Sequence, residues 1–170
     1  MNGRDILTLF EYNGWANRRI MDAARRVRTE QFVAATTNSY GSLRGTLVHL
    51  VEAEMAWRTL CQNGTMSGFH DLVEDDFPTP VALEQLWQEE QPRLRAYLAG
   101  LTDADLNGSI HYTTDEGDEQ ARVLWHCLVH VVNHGTQHRS EAAVLLTDYG
   151  CSPGELDFTV FLNEHLSAAN

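Results

Sequence analysis

The segment Trp125-His-Cys-Leu-Val-His-Val-Val-Asn-His-Gly-Thr-Gln-His-Arg139 decides how this chain is read. Its apolar residues recur at steps of three and four, and His126, His130, His134 and His138 follow one another every four residues. Four residues advance a helix by one turn plus about 40°, so neighbouring histidines stand on one face. The pattern extends on both sides and predicts a helix from about Ala121 to Tyr149, stopped by Gly150. An i, i+4 pair of histidines can close on one metal ion. All four cannot, because the series climbs roughly 18 Å at 1.5 Å per residue. Spacing alone leaves open which neighbouring pair is used, and a further ligand has to come from another element.

Three more long helices follow from the same periodicity. Ile6, Leu9, Phe10, Ala16, Ile20, Ala24 and Val27 mark one of roughly 20 or more residues. A second runs from an N-cap at Ser42 to a C-cap at Gly64. A third starts with Thr79 as cap and Pro80 at its first position, and ends before Gly100. Four such helices predict an all-α helical bundle, a single domain over residues 1–170. Asn63 to Pro78 reads as a loop, and Ser109 to Gln120 as a short hairpin turning at Asp115 to Asp118. The stretch after Pro153 reads as a short helix packed on the bundle.

Composition narrows the function. The chain has 170 residues, with 24 acidic and 12 basic side chains and a net charge of −12. Such a surface repels phosphate backbones, so direct nucleic-acid binding is not expected. Every basic residue is arginine, which removes Schiff-base and phosphate-loop lysines from the possible chemistries. Cys61, Cys127 and Cys151 are widely spaced and odd in number, the usage of a reducing compartment. With no apolar run of membrane-spanning length and no signal-like start, a soluble cytoplasmic protein is the expectation.

The leading external ligand is His49. Ala53, Ala56 and Leu60 share its helical face, so it points inward over small side chains. A lone inward histidine is ordinarily a hydrogen-bonded core residue, but four in register together with His49 favour a metal site. Three neutral imidazoles leave an ion its full charge and an open position. Cys127 and His130 with His134 form a rival set, against which stands the habit of core cysteines to act as small hydrophobes. Asn13 and Asn17 read as helix-bridging asparagines or pocket residues, and Glu52 as a residue at the site's edge. Glu54 points about 140° away from His49, as 100° per residue requires. Arg44 and Arg139 read as surface ion-pair partners or receivers of an anionic substrate.

Three stretches together resemble the DinB family of metal-binding helical proteins, related to the wider YfiT-like group. They are Leu9-Phe-Glu-Tyr-Asn-Gly-Trp-Ala-Asn17, Leu47-Val-His-Leu-Val-Glu-Ala-Glu-Met-Ala-Trp57 and His130-Val-Val-Asn-His-Gly-Thr-Gln-His-Arg139. The resemblance implies an up-down-down-up four-helix bundle, often a homodimer, with His49, His134 and His138 holding zinc or nickel. It places His130 at a motif histidine that is not itself a ligand. Where the family motif commonly continues with Gly and Gln, this chain has Ser140 and Glu141. Glu141 shares the face of His134 and His138, and can orient a ligand, accept a proton, bind the metal or simply be a solvated acid.

The expected function is therefore that of a metal-dependent enzyme acting on a small-molecule substrate. The resemblance implies either a transferase using a low-molecular-weight thiol or a hydrolase. Glu141 and His130 are the candidate acid–base or orienting groups. The alternative is a non-catalytic metal-binding or stress-response protein whose ion staples the bundle, which a closed four-ligand site would favour.

Overall fold

The computed structural model describes residues 1–113 and 117–166. In chain order these form α1 (Gly3–Ala24), α2 (Thr29–Phe32), α3 (Leu43–Asn63) and α4 (Pro80–Ala99). After them come α5 (Asp103–Asn107), the strands β1 (Ser109–Thr113) and β2 (Glu119–Val123), α6 (Leu124–Asp148) and α7 (Phe158–Leu166). The fold is mostly helical, with one two-stranded antiparallel hairpin, so a strictly all-α description is corrected by the pairing of Ser109 with Val123 through Thr113 with Glu119.

Caps explain most boundaries. The Asn2 side chain accepts the Asp5 amide, and Asp5 accepts the Asn2 amide in return, which closes the first turn of α1. Ser42 accepts the Gly45 amide at 2.8 Å, and Gly64 ends α3 in the left-handed region at φ 70°. Pro80 opens α4 where its missing N–H costs nothing. Two expectations shift. Helix α6 begins at Leu124, because residues 121–123 are spent on β2; α1 stops at Ala24, and Val27 is buried beyond it. Of the turn expected at Asp115 to Asp118, residues 115 and 116 lie outside the described residues.

Helix directions follow from two apolar clusters. One gathers Ile20 and Met21 of α1, Leu43 and Leu47 of α3, Leu83 and Trp87 of α4, and Leu145 and Leu146 of α6. The other gathers Ile6 and Phe10, Cys61, Leu94 and Leu98, and Leu124 and Leu128 from the same four helices. Helices α1 and α6 pass from the second cluster to the first, while α3 and α4 pass the other way. Since α3 and α4 run parallel, the chain between them must return the length of a helix. That is why a long connection is needed there, and its 3-10 turn at Glu74–Asp76 sits back beside the start of α3, where Arg44 pairs with Asp75 at 2.9 Å.

Between the clusters lies a buried polar layer. Glu54 of α3 accepts from Asn13 Nδ2 at 2.6 Å, Asn17 Nδ2 at 3.3 Å, Trp87 Nε1 at 3.0 Å and Gln91 Nε2 at 2.7 Å. The oxygens of the two asparagines accept in turn from Arg139 Nη1 of α6, at 2.6 and 2.8 Å. Arg139 Nη2 reaches Thr136 Oγ1 at 2.9 Å. All four long helices thus meet on one carboxylate and one guanidinium. Arg139 is only 1% exposed, so its expected place on the surface is corrected: its partners are internal. Gly135 fits because a Cβ there would sit 2.7 Å from Arg139 Nη1 and 3.0 Å from Asn13 Oδ1. Burial pushes the Glu54 carboxyl upward in pKa, and the hydrogen bonds from Trp87, Gln91 and Asn13, with the charge of Arg139, pull against that.

Glu54→Gln removes the anion and turns an amide N–H₂ toward groups that themselves donate. It is expected to lower unfolding free energy by about 3 kcal/mol, the scale for breaking a buried charge network. Urea denaturation checks this, with an unchanged slope and a lowered midpoint as the expected result.

Candidate metal centre

Antiparallel packing of α3 on α6 sets His49 opposite one turn of α6. The Nε2 atom of His134 lies 3.1 Å from Nε2 of His49 and 3.2 Å from Nε2 of His138. The ligand atoms of the three histidines all lie within 4.8 Å of one another. Nitrogens bound tetrahedrally at about 2.0–2.1 Å from zinc would be roughly 3.3 Å apart, close to the two separations from His134. The proton inventory points the same way. A neutral imidazole has one N–H, and Nδ1 of His138 is engaged by Glu141 Oε2 at 3.1 Å. With Nε2 of His138 then a lone pair, and His134 facing two partners, the cluster holds too few protons to satisfy all its nitrogens. Converging lone pairs fit a cation.

The surroundings hold these rings in place. Tyr40 stacks on His49 at 4.0 Å and 16° and stands edge-on to His138 at 5.2 Å. Its carbonyl approaches so closely that a Cβ on residue 45 would be 2.2 Å away, so Gly45 is what lets this loop lie on α3. Glu52 Oε2 is 3.9 Å from Nδ1 of His49, and Glu52 Oε1 accepts the Leu72 amide at 2.6 Å. The connection between α3 and α4 is thereby tied to the centre's edge. Ser39 Oγ donates to Glu141 Oε1 at 3.3 Å.

The other sequence candidates separate cleanly. His130 is exposed one turn from His134, its ring 4.8 Å from Trp57 and 5.6 Å from His134, outside the three-histidine group. His126 lies further along against Trp125. The Cys127–His130–His134 set is not assembled, since Cys127 is buried with Cys61 as its hydrogen-bond partner. Glu141 stands on the Nδ1 side of His138, turned away from the convergence point. Arg44 is taken up by Glu74 and Asp75. Tyr40 is the residue the sequence reading missed, because nothing in helical periodicity marks a loop residue two places before a cap.

A family model described as DinB family matches residues 1–167. This chain belongs to the DinB family. It is also 24% identical over 158 residues to Protein DinB of Bacillus subtilis (strain 168), covering 91% of each chain. For this DinB-family protein, membership and the three-histidine group are compatible with a metal site. No helix among the described residues is long and apolar enough to cross a membrane.

Electrostatics disfavour a proton on His134 and on His49. Burial, then the neighbouring His138, His49 and His130, hold His134 down to about 4, and burial followed by His138 lowers His49. Between pH 6.5 and about 4, an unfolded chain protonates a histidine that the folded chain keeps neutral. Metal-free protein is therefore expected to lose stability as pH falls from 6.5 toward 4; thermal melts at half-unit steps check it. Glu141→Gln leaves Nδ1 of His138 with a weaker acceptor, and metal affinity is expected to fall about 10–100-fold in a chelator competition.

Proposed function

We propose that this chain is a metal-dependent enzyme of the DinB type, in which His49, His134 and His138 hold one divalent ion, zinc or nickel. We further read it as a single domain over residues 1–170, an up-down-down-up four-helix bundle that works as a cytoplasmic homodimer. The chemistry it best suits is that of a thiol-dependent transferase or a hydrolase acting on a small molecule. The observation that carries this reading is the convergence of three Nε2 atoms at 3.1 and 3.2 Å.

Three protein ligands on a divalent ion would supply an acidified water or a coordinated thiolate, the nucleophile either reaction needs. The chain's own groups divide the remaining work. Glu141 is a positioning residue: it holds the proton on Nδ1 of His138 and so keeps Nε2 directed inward. Because it engages that far nitrogen, it leaves a position on the ion free for water or substrate. Tyr40 covers His49 and limits the histidine's rotation. His130, exposed beside Trp57, is the group placed to exchange protons with substrate and solvent at the site's rim.

Elemental mass spectrometry of tag-free protein should find about one divalent ion per chain, absent from the His134→Ala/His138→Ala double variant. The loaded protein is then screened with low-molecular-weight thiols and hydrolysable esters and amides. Wild-type protein that stays metal-free after incubation with zinc and with nickel overturns the reading. Metal-replete protein inert in every assay would instead point to a stapled, non-catalytic bundle.

A further inference from the structure

The face between α1 and α4 carries a groove of about 540 Å³, a size usual for small-molecule sites. Leu7, Phe10, Leu94, Leu98 and Phe161 give it an apolar lining, the last contributed by α7. Past Arg18, Gln91 and Arg95, which line both spaces, it continues into a hollow of about 310 Å³ beside Trp87. Two guanidinium groups therefore stand at the waist of one continuous depression. Arg18 lies back over Gly14, where a Cβ would be 3.5 Å from its Nη1 and 3.7 Å from Gln91 Oε1, so it reaches toward α4.

Several arginines of this chain are held by carboxylates. Arg19 pairs with Glu164, Arg25 with Glu84, Arg44 with Asp75 and Arg58 with Glu90. Among the described residues, no carboxylate lies within ion-pair distance of Arg18 or Arg95, and neither donates a hydrogen bond. Asp22 attracts Arg18 from the next turn, and Arg95 repels it. The two cations share an apolar floor with no carboxylate in ion-pair contact: Asp22 and Glu84 line the smaller hollow, but Asp22 acts on Arg18 only at longer range and Glu84 is taken by Arg25. Paired guanidinium forks match a carboxylate in shape as well as charge. Glu11, on the wall of the larger space, disfavours a second anionic group there.

We propose that this groove binds a small amphiphilic monocarboxylate, its head held by Arg18 and Arg95 and its unbranched chain laid over Phe10, Leu94 and Leu98. The site is separate from the histidine cluster and requires no metal, so it stands or falls independently of the proposed enzyme function.

Calorimetric titration of the full chain with octanoate, 1-octanol and acetate tests it. Octanoate is expected to bind at about one per chain, and the alcohol and acetate about tenfold more weakly or worse. Added salt should weaken octanoate and leave octanol unaffected. Arg18→Gln/Arg95→Gln, both at exposed positions, should lose octanoate at least about tenfold while keeping the wild-type melting temperature, and Arg18→Lys/Arg95→Lys should recover part of it. No octanoate binding at millimolar concentration overturns the proposal, as does equal binding of octanol or salt-independent binding. A dimer that the glutamine variant dissociates, with no octanoate uptake, also overturns it and makes this face a contact between two copies.

Discussion

One buried carboxylate organises this protein. Glu54 takes hydrogen bonds from α1 and α4, and α1 passes the connection on to Arg139 of α6 through Asn13 and Asn17. Apolar packing alone tolerates sliding and rotation of helices by fractions of a turn, because many arrangements bury similar areas. Saturated polar contacts do not, since each misplaced donor in a low-dielectric interior loses its partner outright. Arg139 immediately follows His138 in the chain. Once its guanidinium is locked between Asn13 and Asn17, the rotation of α6 is set, and with it the direction of His138 and His134 toward α3. His49 and Glu54 share α3, so the same lock fixes the other side of the histidine cluster. Gly135 is the concession that makes the arrangement possible: a helix-interior glycine costs about 1 kcal/mol relative to alanine, and here the missing Cβ is the room that Arg139 occupies.

How much of this was legible in the sequence depended on whether the signal was local. Ser42, Gly64, Pro80 and Gly150 announce helix ends because capping is chemistry within four residues. The histidine spacing was equally local, and His49 was reachable through the small residues sharing its face. Three pairs nevertheless remained open, since choosing His134 with His138 requires knowing where α3 lies along α6. The start of α6 was misplaced by three residues because Ala121 and Val123 suit a helix as well as a strand, and only the pairing with β1 decides. Glu54 and Arg139 defeated sequence reading for a different reason. Charged side chains are almost never fully buried unless paired, and their pairing between helices here joins residues 33 to 126 apart.

The acidic composition acquires a local meaning at the cluster. Glu52 and Glu141 flank the histidines without joining them, one touching the edge of His49 and the other bonded to His138. Carboxylates placed so raise the basicity of the imidazoles and would attract a divalent cation, while leaving the convergence point to imidazole nitrogens. Direct coordination by the same carboxylates would have reduced the ion's effective charge and occupied the position a substrate needs. In the proposed reading, their placement behind the imidazoles, rather than their number, is what would suit the site to polarising a ligand rather than to storing metal.

Such a centre has a structural cost that the rest of the fold must cover. Nε2 of His134 lies within hydrogen-bonding range of Nε2 of both His49 and His138, and with protons enough for only some of these contacts the facing lone pairs repel when no cation lies between. Burial aggravates this by keeping His134 and His49 neutral where solvent-exposed histidines would take up protons and swing apart. A loosely packed pair of helices would relax by rotating the rings outward. Here Tyr40 stacks against His49, Glu141 holds His138, and the Glu54 layer prevents α6 from turning. The polar layer and the histidine cluster are therefore two halves of one arrangement: the first is rigid because every group in it is satisfied, and the second can remain unsatisfied because the first is rigid.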